Sequence, residues 1–204
     1  MRYFLIILIL IVFFNHELSS QSFKSTISAG IVGSQVDGDN FGGYDKIGLY
    51  AGLGVRYPMS ANIDLGMQIS FIQKGSRQNA DPANGLYDSY LMRLNYAEIP
   101  IFIQGKISKK IYFQAGPTIG YLISAIEKDN YSVITQPSSV PPFRKFEFGL
   151  LGAIGYSIND KWSVIVRGQY SMIPIRKTPI IQIWYYNDSL KNNVLVFALN
   201  YHFN

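Results

Sequence analysis

After residue 21 the chain breaks into segments in which apolar side chains take every second position and glycine, serine or a charge takes the alternate ones. A period of two is the mark of a strand with unlike faces. In KIGLYAGLGVRY, Ile47, Leu49, Ala51, Leu53, Val55 and Tyr57 share one face, opposite Gly48, Tyr50, Gly52, Gly54 and Arg56. In IDLGMQISFIQK, Ile63, Leu65, Met67, Ile69 and Phe71 oppose Asp64, Gly66, Gln68 and Ser70. The same alternation predicts eight strands, over 23–35, 46–57, 63–74, 90–104, 111–124, 145–158, 162–172 and 194–203. Short turns (PMSAN, KISKK, NDK) alternate with longer polar loops over 36–45, 75–89, 125–144 and 173–193.

An even number of antiparallel strands, short turns at one end and long loops at the other describe an outer-membrane barrel. The competing reading is a soluble sandwich or lipocalin-like barrel, whose apolar face points inward. Charge separates the two. Arg56, Asp64, Glu98, Glu147 and Arg167 are the charges within strand centres, and all share parity with the glycines. A water-facing surface would carry far more Lys and Glu, whereas a narrow lumen accepts glycine and a few charges. Aromatics gather at strand ends. Tyr57, Tyr112, Tyr156, Trp162, Tyr201 and Phe203 fall at the short-turn end, and Tyr44, Tyr90, Tyr121 and Tyr170 at the other, as interfacial girdles would. The expected fold is therefore all-β, an eight-stranded antiparallel up-and-down transmembrane β-barrel.

The composition agrees: 48% hydrophobic, 15% aromatic, 18 glycines and only 15% charged in 204 residues. That is a chain for one folded domain and is unlike a disordered one. The N-terminus, MRYFLIILILIVFFNHELSSQS, has one Arg, an apolar run from Tyr3 to Phe14, then small and polar residues. The run is too short to span a bilayer as a helix and has a signal peptide's layout. Residues 1–20 are expected to be a leader cleaved after Ser20, and 21–204 the barrel domain. Net charge is +5, with no Lys/Arg run to track a phosphate backbone, so nucleic acid is not an expected partner.

The segments GLYAGLGVRY, YAEIPIFIQGK and YFQAGPTIGYLI stand in the order seen in the PorT-like outer-membrane β-barrel family of Bacteroidetes-type bacteria. The chain resembles that family over residues 21–204. The motif residues are Tyr96, Glu98, Ile99 and Pro100 in one strand and Gly116 and Pro117 in the next. The resemblance implies an outer-membrane location, and for one founding member a role assisting protein secretion. Secretion or envelope proteins, lipid and lipopolysaccharide are the implied partners.

Catalytic chemistry finds little support in the sequence. His202 is the one histidine after the leader, and no serine and acid share its rim on lipid-facing parity. With no cysteine and so few histidines, a metal centre is not expected either, and no cofactor is. Asp37 and Asp39 in QVDGDN lack the glycine and distal glutamate of a calcium loop and read as a polar turn. Three functions stay open: a non-enzymatic structural or interaction protein, a small-solute channel and, least supported, a lipid-modifying enzyme.

The inward charges are the sharpest candidate. An eight-stranded barrel is filled by its own side chains, and an unpaired carboxylate inside it is costly. Glu98 and Arg167 are expected to form a lumen salt bridge, joined by Arg56 or Glu147. Arg176 and Lys177 in the last long loop, with IIQIWYY after them, read either as a contact surface for lipopolysaccharide or a partner, or as a hairpin prolonging the last two strands. Pro100 and Pro117 cannot donate to a ladder, so a bulge or a place near the strand end is expected for them.

Overall fold

The computed structural model describes residues 23–130, 140–178 and 186–203. The leader at 1–20 and all of IIQIWYY except Tyr186 lie outside the described residues. Eight antiparallel strands close into a ring in sequence order: β1 (Lys24–Asp39), β2 (Lys46–Pro58), β3 (Ile63–Gln78), β4 (Tyr90–Lys106), β5 (Ile111–Asp129), β6 (Phe146–Ser157), β7 (Trp162–Ser171) and β8 (Tyr186–Phe203). The ring is sealed where β1 pairs with β8, from Ser25↔Phe203 onward.

The alternation reads out as expected, inside out relative to a soluble protein. Ile47, Leu53, Ile69 and Ile154 are each more than 60% exposed, and a belt of apolar side chains encircles the outside. A surface of that kind is stable only against lipid. The alternate residues point inward and mix two kinds: the polar Ser28, Gln68, Lys74, Glu98, Gln114, Glu147, Arg167 and Asn200 are all buried, beside a buried apolar cluster that includes Ile72, Met92, Leu94 and Val196.

Inward glycines make this lumen possible. Gly66 lies opposite Phe102 on β4, and Gly155 opposite Tyr112 on β5. A Cβ at either glycine would overlap the facing ring. Tyr112 therefore lies inside the lumen at 6% exposure, and Tyr90 is buried there too. Both had been assigned to the outer girdles; their even parity on β5 and β4 turns them inward instead.

All four long polar loops are shorter than the sequence implied, because β1, β3 and β5 run on through Asp39, Gln78 and Asp129 and β8 begins at Tyr186. The polar residues that mimic a loop there, among them Ser76, Glu127 and Asn192, are buried in the lumen. Polarity that signals solvent in a soluble protein signals the interior here.

The prolines sit in unbulged register. Pairing of β4 with β3 steps from Met67↔Ile101 to Ser70↔Glu98 across Pro100, and pairing with β5 steps from Pro100↔Thr118 to Ile103↔Ala115 across Pro117. Each proline thus interrupts a ladder for a pair of residues without shifting it. The bulge falls at Asn95/Tyr96, where β5 holds one residue more than β4. An extra residue reverses side-chain parity beyond it. Leu122 and Glu127, of opposite parity, consequently both face the lumen.

Candidate functional site in the barrel lumen

The inward polar residues form tiers along the barrel axis. Toward the short-turn end, Arg56 Nη1 lies 3.3 Å from Asp64 Oδ2, and Arg56 Nη2 lies 3.1 Å from His202 Nδ1. His202 Nδ1 also meets Thr26 Oγ1 at 3.0 Å, and its Nε2 meets Ser163 Oγ at 2.9 Å. Serine and histidine are thus brought together after all, on inward rather than lipid-facing parity. Their polarity is wrong for a nucleophile and its base. A guanidinium only donates, so Nδ1 accepts and the ring proton resides on Nε2, from where it is donated to Ser163 Oγ. A base acting on Ser163 would need its lone pair at Nε2.

Arg167 occupies the next tier. Its Nη1 donates to Tyr50 Oη at 3.0 Å, and its Nη2 to Gln68 Oε1 at 3.3 Å and Gln114 Oε1 at 3.4 Å. Tyr50 Oη in turn donates to Gln68 Oε1 at 2.7 Å, and Gln68 Nε2 to Ser28 Oγ at 2.9 Å. All of Arg167's hydrogen-bond partners here are neutral.

Above it lies the centre of the network. Lys74 Nζ is 2.7 Å from Glu98 Oε2 and 3.1 Å from Glu147 Oε1. Gln169 Nε2 donates to Glu98 Oε1 at 2.7 Å, while Ser171 Oγ and Asn192 Nδ2 donate to the two oxygens of Glu147 at 2.6 and 3.1 Å. The Lys74 ammonium also stands 5.2 Å from the centre of the Tyr96 ring. The expected Glu98–Arg167 bridge is therefore replaced by a Glu98–Lys74–Glu147 triad. Register explains the exchange: β3 brings Ser70 opposite Glu98, and Lys74, on the same face two inward positions further along, reaches back to it. Arg56 belongs to the lower tier with Asp64. Of the motif residues, Tyr96 and Glu98 enter the triad's surroundings, Ile99 faces lipid at 41% exposure, and Pro100, Gly116 and Pro117 mark the ladder interruptions.

The uppermost tier closes the long-loop end. Arg176, at 0% exposure, donates from Nη1 and Nη2 to Glu127 Oε1 and Oε2 at 2.9 and 2.7 Å. Tyr90 Oη donates to the same Oε1 at 2.7 Å, and the Arg176 Cζ lies 3.6 Å from the Phe143 ring centre. Arg176 is thus an internal strut, and not the exposed contact for lipopolysaccharide that its place in a basic loop suggested. The sequence concealed this because the partner, Glu127, faces inward only through the β5 bulge. Lys74 was missed for a simpler reason: it stood at the end of the expected third strand, outside its centre. Inward parity continued past Ser70 would have found it.

Among the described residues no group of His, Asp and Glu is arranged to hold a metal ion, and no helix is long and apolar enough to cross a membrane. The latter says nothing against crossing by strands.

Among solved structures, the chain is similar to Ail, the attachment invasion locus protein of Yersinia pestis, crystallised with the heparin analogue sucrose octasulfate. Identity is 14% over 89% of this chain and 99% of that one, with a TM-score of 0.49. Neisserial surface protein A shares 12% identity over 89% and 97%, with a TM-score of 0.48. OprG of Pseudomonas aeruginosa shares 11% over 90% and 97%, with a TM-score of 0.45. No curated protein matches the chain. A family model described as the outer membrane protein beta-barrel domain matches residues 18–177. With that match covering most of the chain and a closed ring of eight up-and-down strands behind it, this protein belongs to the outer membrane β-barrel domain family and resides in the bacterial outer membrane.

Proposed function

We propose that the chain is a plugged, non-enzymatic barrel that acts as a structural or interaction protein of the envelope, accessory to protein secretion as the PorT-like motifs Tyr96–Glu98–Ile99–Pro100 and Gly116–Pro117 imply. The observation that carries this reading is the buried Glu98–Lys74–Glu147 triad at the centre of the lumen, flanked by the Arg167 and Arg176 tiers. A water-filled path would have to break charge-assisted hydrogen bonds at each level. The Nε2–H tautomer of His202 speaks against hydrolysis at Ser163. Function then falls to surfaces beyond the lipid belt, where loops carry recognition. The leader at 1–20 would direct export, with cleavage after Ser20 and Gln21 as the new N-terminus. Lipid and lipopolysaccharide would surround the belt.

The test combines conductance and capture. Purified protein in planar bilayers should show no sustained channel current; steady single-channel steps would replace this reading with a solute channel. Photo-crosslinking from the long-loop end, in cells of the producing bacterium, should then trap envelope or secretion proteins. A crosslink pattern of lipopolysaccharide alone would remove the secretion role.

A further inference from the structure

The short-turn end of the lumen opens into a cavity of about 400 Å³, bordered by Lys24, Arg56, Lys106 and Lys109 and by a single carboxylate, Asp160. Its depth is set by the lumen network: Arg56 and His202 stand at its inner end and also border the small void of about 20 Å³ above. That void has room for about one water, and its far side is bordered by Arg167, whose hydrogen-bond partners are all neutral. The excess of positive charge lies at the rim, where Lys24, Lys106 and Lys109 outnumber the carboxylate of Asp160. The one acid near the inner end, Asp64, is already engaged by Arg56 and by Gln104. Lys106 Nζ is steadied at the rim by the Ala61 carbonyl at 2.8 Å, which leaves its charge uncompensated.

We propose that this blind cationic mouth is a binding site for a soluble oxyanion ligand bearing phosphate or carboxylate groups, taken up from the periplasmic side. Clefts lined by one sign of charge with low-dielectric walls focus their field on the opening. Lysines supply point charges, and Arg56 supplies a guanidinium beneath them. The volume accommodates a ligand with more than one anionic group. The site is framed by strand ends and by the short turns that carry Lys109 and Asp160, and the bilayer's own head groups offer the same chemistry. The inference stands on closure of the lumen and is independent of any role in secretion.

Inorganic pyrophosphate is the probe, titrated calorimetrically into the full-length barrel in phosphatidylcholine nanodiscs. Saturable binding is expected. The combined variant Lys24→Gln, Lys106→Gln and Lys109→Gln should weaken it roughly tenfold, the sum of three modest exposed charge contributions. The single Lys109→Gln variant, altered only in an exposed turn, should show part of that loss and keeps the test independent of folding. Lys128→Gln with Arg144→Gln, at the opposite end, should leave binding unchanged. Absence of saturation, or equal losses from both ends, overturns the proposal. Discs containing phosphatidylglycerol separate the two sources of anion: binding retained there supports a soluble ligand, and binding abolished there assigns the lysines to lipid head groups and overturns it.

Discussion

Lys74 on β3 and Glu98 on β4 meet at 2.7 Å in the middle of the lumen, with neither side chain more than 2% exposed. Glu147 of β6 completes the contact at 3.1 Å, so one ammonium joins three strands. Two carboxylates on one cation leave a surplus negative charge. Arg167, one tier below and hydrogen-bonded only to neutral groups, supplies the matching positive charge. The centre of the lumen is balanced across two tiers rather than pair by pair, which is what a medium of low dielectric favours.

Lys74→Met should be the most damaging single change in the lumen, because it strands two facing carboxylates. A loss of about 3–5 kcal/mol is expected, the size seen when a buried pair loses one partner. Glu98→Gln leaves Lys74 paired with Glu147 and should cost about 1–3 kcal/mol. Urea unfolding followed by the heat-dependent gel shift of the barrel orders the two. Equal costs, or none for Glu98→Gln, would remove the pairing described here.

Arg176 braces the segment after β7 against β4 and β5 through Glu127. Arg176→Lys keeps the charge but loses the two-pronged geometry, so it should rescue only part of the defect of Arg176→Ala. Limited proteolysis from the long-loop side reads this directly: cleavage should quicken in the order wild type, Lys, Ala. Tyr90→Phe removes one donor to Glu127 and should cost about 1 kcal/mol. Full protection by Lys would make the contact a matter of charge alone.

Gly155 and Tyr112 should behave as a coupled pair. A methyl group at Gly155 overlaps the Tyr112 ring, so Gly155→Ala should destabilise by about 1–3 kcal/mol. In a Tyr112→Leu background the same change should be far milder, giving a coupling energy in a double-mutant cycle. Additive effects would mean that the glycine serves another purpose.

The barrel, its strand number and its facing were legible from alternation alone, since each strand keeps one apolar face through most of its length. Glu98, Glu147, Arg56 and Arg167 were found on inward parity for the same reason. Their partners were harder to see. Which residues meet across a lumen depends on stagger between strands, and a period of two carries no information about stagger. Glu127 shows the limit most clearly: one extra residue in β5 reverses its direction, and nothing in the polarity of ISAIEKD distinguishes that bulge from a loop beginning. Arg176 was misread with it, because a buried arginine is recognised only once its carboxylate is known to face inward.

Trp162 offers a test of how the barrel sits in the bilayer. It opens β7 at the short-turn end, 38% exposed, with its ring edge-on to Tyr201 at 4.9 Å and Tyr201 edge-on to Phe203 at 5.0 Å. Aromatic clusters of this kind belong at the boundary between head groups and hydrocarbon. The chain has two tryptophans, so Trp184→Phe isolates the Trp162 signal. Its fluorescence should be quenched more by lipids brominated near the glycerol than by those brominated at the chain ends. Val166→Trp, added with Trp162→Phe, moves the probe four residues along the same outward face. At ~3.3 Å per residue and a tilt of about 45°, that carries it roughly 9 Å deeper, where chain-end bromines should quench best. A Trp162 signal quenched mainly by aqueous iodide would place this end of the barrel outside the membrane and shift the lipid belt toward the long loops.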